Sequence, residues 1–357
     1  MEILRETLQT SRRAAAGRGI WATFTVGLLT LTACGGESVV ETPVTEEELA
    51  GFIEDNDQAF PEEAVVAVVD GEEVITASTD GADMDTVFEI ASMSKPLTGM
   101  LLADAEDRGE VDLQDELGQL LPELAETEVG GVTLLELATH TSGLPLVPTA
   151  EDYDEESDGW RAQGRNPYPI TADGLIDLAT QQSLGSPGSY EYSNMGTSLL
   201  GHALAAQAGM SYEDLLAERL TEPVGMEETF ASDHRGHDSD ELLIEGYSNG
   251  GEVESFASEA FSPSSSLRSS TEDWVQLMQA IHRGEAPGMT ALEPTDVEPR
   301  MGLGWAADGD YLWHNGISNG YASIVFIDPE EDLGVVILTN YAYQNTELGW
   351  QLIQSLD

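Results

Sequence analysis

Ser92 and Lys95 stand three residues apart in the stretch Phe88-Glu89-Ile90-Ala91-Ser92-Met93-Ser94-Lys95-Pro96-Leu97, and Lys95 is the only lysine in 357 residues. Every other basic side chain is arginine, so the sequence keeps an amine at this one place. On a helix, residues i and i+3 share a face, with Cβ atoms about 5–6 Å apart. A helix starting near Ser92 therefore lets the amine reach the hydroxyl. An amine held out of full solvation can take the serine proton and make that oxygen a nucleophile. The spacing alone fits equally well a helix-capping serine followed by an ordinary first-turn lysine. Catalysis needs partners elsewhere in the chain.

Two further stretches offer them. Tyr190-Glu191-Tyr192-Ser193-Asn194-Met195-Gly196 follows the turn Ser186-Pro187-Gly188, and His314-Asn315-Gly316 closes a strand-like run. The elements that must position these groups are legible from periodicity. The β-branched run 63–69 ends at Asp70-Gly71, a hairpin signal, and 73–78 is the returning strand. A helix is expected from about Ser92 to Arg108, with Leu97, Met100, Leu101 and Leu102 as its apolar stripe. Another covers 132–140, with Thr133 and Glu136 as a capping box. Helical patterns return at 171–183, 195–208, 211–220 and 273–281. The segments 302–305, 311–314, 322–327 and 334–339 read as strands, and 346–356 as a closing helix. Strands at both chain ends and helices between them imply an α+β fold. One antiparallel sheet is built from the two ends and flanked by helices, with a mostly helical region over about 97–290. Residues 147–170 have no period and read as a long binding loop or lid.

Taken together, Ser92-x-x-Lys95, Tyr192-x-Asn194 and His314-Asn315-Gly316 resemble the motifs of the serine β-lactamase and penicillin-binding-protein superfamily. The likeness is to the branch of class C β-lactamases, D-alanyl-D-alanine carboxypeptidases and esterases, and runs over roughly 60–345. Flanking stretches such as Thr133–Pro145, Pro223-Val224-Gly225-Met226 and Ser270-Thr271-Glu272-Asp273 extend it. The resemblance implies that Ser92 forms an acyl-enzyme, with Lys95 and Tyr192 moving its proton, Tyr192 as a phenolate stabilised by the amine. Tyr190 competes for that place, but only Tyr192 has an asparagine two residues on. Asn194 would bind the substrate's amide or ester. The N–H groups of Ser92 and Ile317 would hold the oxyanion, and His314 and Gly316 would line the substrate site. Two departures stand out. His314 replaces the lysine usual in β-lactamases, so the third motif lacks a fixed positive charge. Pro263-Ser264-Ser265-Ser266-Leu267 replaces a glycine-rich turn. The expected activity is therefore ester or amide hydrolysis, as an esterase or D-Ala-D-Ala carboxypeptidase. A class C-like β-lactamase or a non-catalytic surface-binding lipoprotein on the same fold is the alternative.

Composition frames the setting. Sixty-seven acids against 13 basic residues give a net charge of −54, spread along the chain. Such a surface repels itself until salt screens it, which points to a salty environment. It disfavours nucleic acid and anionic membranes as partners. The expected partner is a small or peptide-like ester or amide, with no cofactor. His234-Arg235-Gly236-His237 lacks any metal-ligand spacing, so no metal is expected either. Arginines precede an uncharged run over 20–33, of signal-peptide length, and Leu31-Thr32-Ala33-Cys34-Gly35-Gly36 resembles a lipobox around the sole cysteine. This predicts a signal peptide over 1–33, lipidation at Cys34, a tether over 34–50 and a hydrolase domain over 51–357. The protein would be exported and held on the outer face of a membrane or in a periplasm. Membrane contact would run only through the lipid. Ser11-Arg12-Arg13 leaves twin-arginine export open.

Overall fold

A computed structural model describes residues 44–149, 159, 166, 169–231, 243–248 and 250–356. The signal-peptide and lipidation expectations, including Cys34, lie outside the described residues, as do His234–His237 and most of the 147–170 loop. The first helix, α1 (Glu46–Asp55), is capped by a reciprocal Thr45–Glu48 box, which supplies partners for first-turn N–H groups. Residues 46–50, expected in the tether, belong to this helix. Leu49 and Ile53 press its buried face onto the sheet.

That sheet has six strands in the order β2-β1-β11-β10-β9-β8. β1 (Ala64–Asp70) and β2 (Glu73–Ser78) come from the N-terminal side. β8 (Ala306–Asp308), β9 (Tyr311–Ile317), β10 (Ala322–Asp328) and β11 (Leu333–Thr339) come from the C-terminal side. The two ends meet where β1 pairs antiparallel with β11, Ala64 opposite Thr339. Both faces are covered, so β1, β10 and β11 are apolar without alternation. Period 2 still sorts the side chains. Val66, Val68, Ile324, Phe326, Val335 and Ile337 face α1 and the closing helix Thr346–Leu356. Val65, Ala67, Val69, Val325, Val336 and Leu338 face the helical region.

On that inner face, β3 (Val87–Glu89) runs into a 3-10 turn, Ala91–Met93, and then α2 (Ser94–Asp107). The helix thus begins two residues later than the sequence suggests, and Ser92 sits in the tighter turn before it. α2 is buried on nearly every side, from Ser94 to Ala105. α3 (Leu134–Ala138) and α4 (Ala172–Ala179) pack on α5 (Asn194–Ala208), which itself lies against α2. β7 (Leu267–Ser270) pairs with β3 and leads into α6 (Thr271–His282), whose N-cap Ser270 accepts from Asp273 N. The expected strand at 302–305 is absent. Gly304 has φ +75°, and a side chain there would strike the Lys95 carbonyl, so this segment bends around α2 before β8 begins.

Candidate active site

The nucleophile turn is held under strain. Ala91 has φ +46°, unusual for a residue with a Cβ. Ser94 Oγ donates to Ala91 O at 2.7 Å, Ile90 N donates to Leu267 O at 3.1 Å, and Ser323 Oγ donates to Ile90 O at 2.7 Å. These bonds, from α2, β7 and β10, fix the backbone on either side of Ser92. Gly316 packs directly against the turn: a Cβ there would stand 2.9 Å from Ser92 N. β8 pairs only with Tyr311–Trp313, so among the described residues His314–Ile317 form an open sheet edge beside Ser92. Side chains of β9 alternate, with Trp313 stacked toward the closing helix and His314 and Gly316 on the buried, inner side.

Lys95 is fully buried in the first turn of α2. Its Nζ donates to Asn194 Oδ1 at 2.7 Å and to Ser264 O at 2.8 Å, and lies within hydrogen-bond reach of Ser92 Oγ at 3.1 Å. It also lies 4.7 Å from the centre of the Tyr192 ring. No carboxylate is among these partners, and burial holds the amine well below its ordinary pKa. A neutral amine has two N–H donors and one lone pair. Asn194 Oδ1 and Ser264 O take the two donors at the shorter distances, which aims the lone pair at the Ser92 hydroxyl. The arrangement is that of a base facing a nucleophile.

The Tyr192 ring lies between the Lys95 amine and the rings of His140 and His314, with its hydroxyl on the Ser92 side. Burial raises its pKa far above the usual phenol value, more than the Ser92 hydrogen bond lowers it. The phenolate expected from sequence is thus disfavoured in the resting site, and the neutral phenol is a proton donor. Asn194 opens α5 directly after the N-cap Ser193, whose Oγ accepts from Gly196 N at 2.8 Å and donates to Pro145 O at 2.6 Å. The segments 140–146 and 185–195 are zipped by backbone bonds, including Glu191 N to His140 O at 2.7 Å and Met195 N to Leu146 O at 3.1 Å. This clamp carries Tyr192 and Asn194 to Lys95.

Two histidines complete the ring of groups. His314 Nδ1 lies 2.7 Å from Asn315 O, which can only accept, so Nδ1 carries the proton and Nε2 is left as an acceptor. Burial lowers the His314 pKa to about 3, and any proton taken up by Lys95 pushes it the same way. His140, at the end of the 132–140 helical stretch, does not simply cap that helix. Instead it sits at φ +57° with its ring centre 4.5 Å from that of Tyr192, and its Nδ1 accepts from Ser193 N at 3.2 Å. Its pKa too is held low by burial and by Lys95. Tyr190 meets the His140 ring edge-on, with centroids 5.9 Å apart, and Tyr192 is the tyrosine beside Lys95.

The structure therefore brings together Ser92, Lys95, Tyr192, Asn194, His314 and Gly316, with Ile317 exposed at the end of the same edge. The sequence reading missed the Ser264 carbonyl and the place of His140. A backbone acceptor leaves no mark on residue type. His140 did lie inside a quoted flanking stretch, and that was its only signal.

A serine at the mouth of a buried helix, faced by an amine rather than an imidazole, defines a lysine-assisted serine hydrolase. The sequence model of the Beta-lactamase family matches residues 45–356. The chain belongs to that family, within the serine β-lactamase and penicillin-binding-protein superfamily, as its motifs suggest, and it is a serine hydrolase. It is 25% identical to a Beta-lactamase of Escherichia coli (strain K12), over 76% of this chain and 80% of that protein. It is 31% identical to the D-alanyl-D-alanine-carboxypeptidase/endopeptidase AmpH of the same organism, over 52% of this chain and 51% of that one. The fold matches a class C beta lactamase from Rhodobacter sphaeroides with TM-score 0.70 and 22% identity, covering 86% of this chain and 97% of the other. It matches a Beta-Lactamase/D-Alanine Carboxypeptidase from Pseudomonas syringae with TM-score 0.73 and 19% identity, covering 87% and 98%.

Proposed function

We propose that Ser92 is the acyl-forming nucleophile of an esterase-type hydrolase that favours substrates without a carboxylate at the third-motif position over the carboxylate-ended peptides a carboxypeptidase takes. The observation that carries the reading is the Lys95 amine, buried without a counter-ion and 3.1 Å from Ser92 Oγ. Lys95 takes the Ser92 proton as Oγ attacks the substrate carbonyl. The N–H groups of Ser92 and Ile317 then receive the oxyanion, and each such donor is worth about 3–4 kcal/mol in the transition state. Tyr192 delivers a proton to the departing alcohol or amine and recovers it from Lys95. Asn194 keeps its Oδ1 on Lys95 and presents Nδ2 to the substrate. Water then repeats the sequence on the acyl-enzyme.

The preference rests on His314. A neutral ring with an acceptor Nε2 offers a carboxylate nothing, and the chain's net charge of −54 repels anions from a distance. Leu146 and Ile317, both exposed, flank the clamp and the strand edge and suit an apolar acyl or leaving group. Hydrolysis of p-nitrophenyl acetate in high salt tests the assignment: Ser92→Ala abolishes it, and retained activity refutes it. Labelling by a fluorescent penicillin separates this reading from the β-lactamase alternative. The acidic surface supports adaptation to salt. The lipobox-like sequence around Cys34 supports export and lipid anchoring at the outer face of a membrane. Globomycin-sensitive processing, or mass spectrometry of the mature N-terminus, tests the anchor.

A further inference from the structure

His140 occupies a position that its backbone does not favour. α3 ends in a turn closed by Thr141 N, which donates to Glu136 O at 2.9 Å, and His140 lies between the C-cap Thr139 and Thr141. Its φ is +57°, the left-handed conformation that helices usually give to glycine or asparagine at this point. A histidine there costs more, because its Cβ crowds the carbonyl that follows. Strain kept in a buried residue beside a site implies a task for the side chain. That task is visible in what the residue holds. The His140 carbonyl accepts from Glu191 N at 2.7 Å, and its Nδ1 accepts from Ser193 N at 3.2 Å. One residue therefore binds the backbone on both sides of Tyr192. As the N-cap of α5, Ser193 has no partner inside that helix for its own N–H, and the imidazole supplies one. The His140 ring also lies against the Tyr192 ring, with centroids 4.5 Å apart and planes at 43°.

We propose that His140 is a positioning residue for proton delivery, its carbonyl and its Nδ1 gripping the two amides that flank Tyr192 and so holding the phenol where the leaving group departs. This rests on the reading of Tyr192 as the proton donor to that group. An imidazole nitrogen accepts only while it carries no proton, so the working ring is neutral, with its hydrogen on Nε2. Burial keeps it neutral, holding its pKa well below the ordinary histidine value, and positive charge on Lys95 or His314 pushes the same way. The two grips differ in what they need. The carbonyl grip is made by backbone and survives any substitution that keeps the turn. The Nδ1 grip is made by the side chain, and glycine cannot supply it. Asparagine can: it tolerates the left-handed turn and carries an acceptor oxygen bonded to Cγ, as Nδ1 is in histidine.

The experiment measures kcat/KM on p-nitrophenyl acetate and on ethyl acetate in high salt, for wild type, His140→Gly, His140→Asn and Tyr192→Phe, each as the full chain. Both esters form the same acetyl-enzyme, and kcat/KM is set by the steps that lead to it. p-Nitrophenolate leaves as a stable anion, whereas ethoxide must be protonated as it departs. The ratio of the two values, p-nitrophenyl over ethyl, therefore reads proton delivery and is blind to a general loss of active enzyme. Tyr192→Phe is expected to raise this ratio by about 10²-fold, the lower end of the range for a general acid. His140→Gly, folded as judged by circular dichroism, is expected to raise it by about 10-fold or more, since a misplaced catalytic group loses much of its effect. His140→Asn is expected to bring it back to within about 3-fold of wild type. An unchanged ratio in folded His140→Gly, with Tyr192→Phe raised, overturns the proposal and leaves the reading of Tyr192 standing. A ratio raised by about 10-fold in His140→Asn also overturns it, whether or not the glycine variant folds. An unchanged ratio in Tyr192→Phe overturns the donor reading itself, and this inference with it.

Discussion

Lys95 Nζ stands closer to Asn194 Oδ1, at 2.7 Å, than to Ser92 Oγ, at 3.1 Å. The amide oxygen and the Ser264 carbonyl act as an anvil for the amine. They consume its N–H donors without offering a negative charge, which would stabilise the ammonium. That is how a lysine can be buried as a base rather than as half of an ion pair.

Lys95→Arg puts a permanent cation where the neutral amine stood and so removes the base, because guanidinium does not deprotonate in proteins. Steady-state kinetics on p-nitrophenyl acetate should show kcat reduced by about 10²–10⁴-fold, the usual range for general-base catalysis. Near-wild-type turnover in this variant would show that proton transfer bypasses Lys95.

His314→Lys introduces the charge that the third motif lacks. A charged hydrogen bond to a carboxylate contributes about 1.5–3 kcal/mol, so acylation by a fluorescent penicillin should accelerate by about 10-fold or more. Hydrolysis of an uncharged ester should gain nothing. Equal gains on both substrates would locate carboxylate recognition elsewhere.

His314 also leaves a mark on stability. Its pKa is about 3 in the fold against an ordinary 6.5, so the unfolded chain takes up this proton first as pH falls. The wild type therefore loses stability progressively from about pH 6.5 down toward pH 3 and loses none from this group above pH 6.5. His314→Gln lacks this term. Urea midpoints measured from pH 7.5 to pH 4 should converge or cross in favour of the variant at low pH; parallel curves would contradict the low pKa.

Gly316→Ala places a methyl group against Ser92 N, Ile90 O and Ser323 Oγ. The nucleophile turn must shift to admit it. A kcat loss of about 10²-fold, comparable to removing an oxyanion donor, is expected with secondary structure unchanged by circular dichroism. Wild-type kcat in a folded variant would remove the strand edge from the mechanism.

The acidic surface should make stability depend on salt. Raising NaCl from 0.1 M to 1 M shortens the screening length from about 10 Å to about 3 Å. The melting temperature should climb steeply across that range and then flatten. A melting temperature independent of salt would refute adaptation to brine.

Much of this site was legible because it is written in residue types. A lone lysine, a Tyr-x-Asn and a His-x-Gly are conspicuous, and β-branched runs at both chain ends foretold the antiparallel sheet. What escaped was carried by backbone. Ser264 contributes a carbonyl, Ala91 and His140 contribute positive φ, and the 302–305 segment bends because glycine lets it pass close to α2. None of these has a periodicity. The direction of the Tyr192 shift was also hidden, because burial of a tyrosine depends on what packs around it, not on its neighbours in sequence.

The pairing of β1 with β11 has a consequence for when this protein can work. The strand hairpin nearest the start of the domain finds its sheet partner only near the end of the chain. Contacts so distant in sequence form late, since the intervening chain must close as a loop before they stabilise anything. β9 and β10, which buttress the Ser92 turn, belong to the same late-arriving group of strands. A chain that has not yet formed these strands therefore has Ser92, Lys95 and the clamp but no strand edge beside them. The site is complete only once these strands close the sheet.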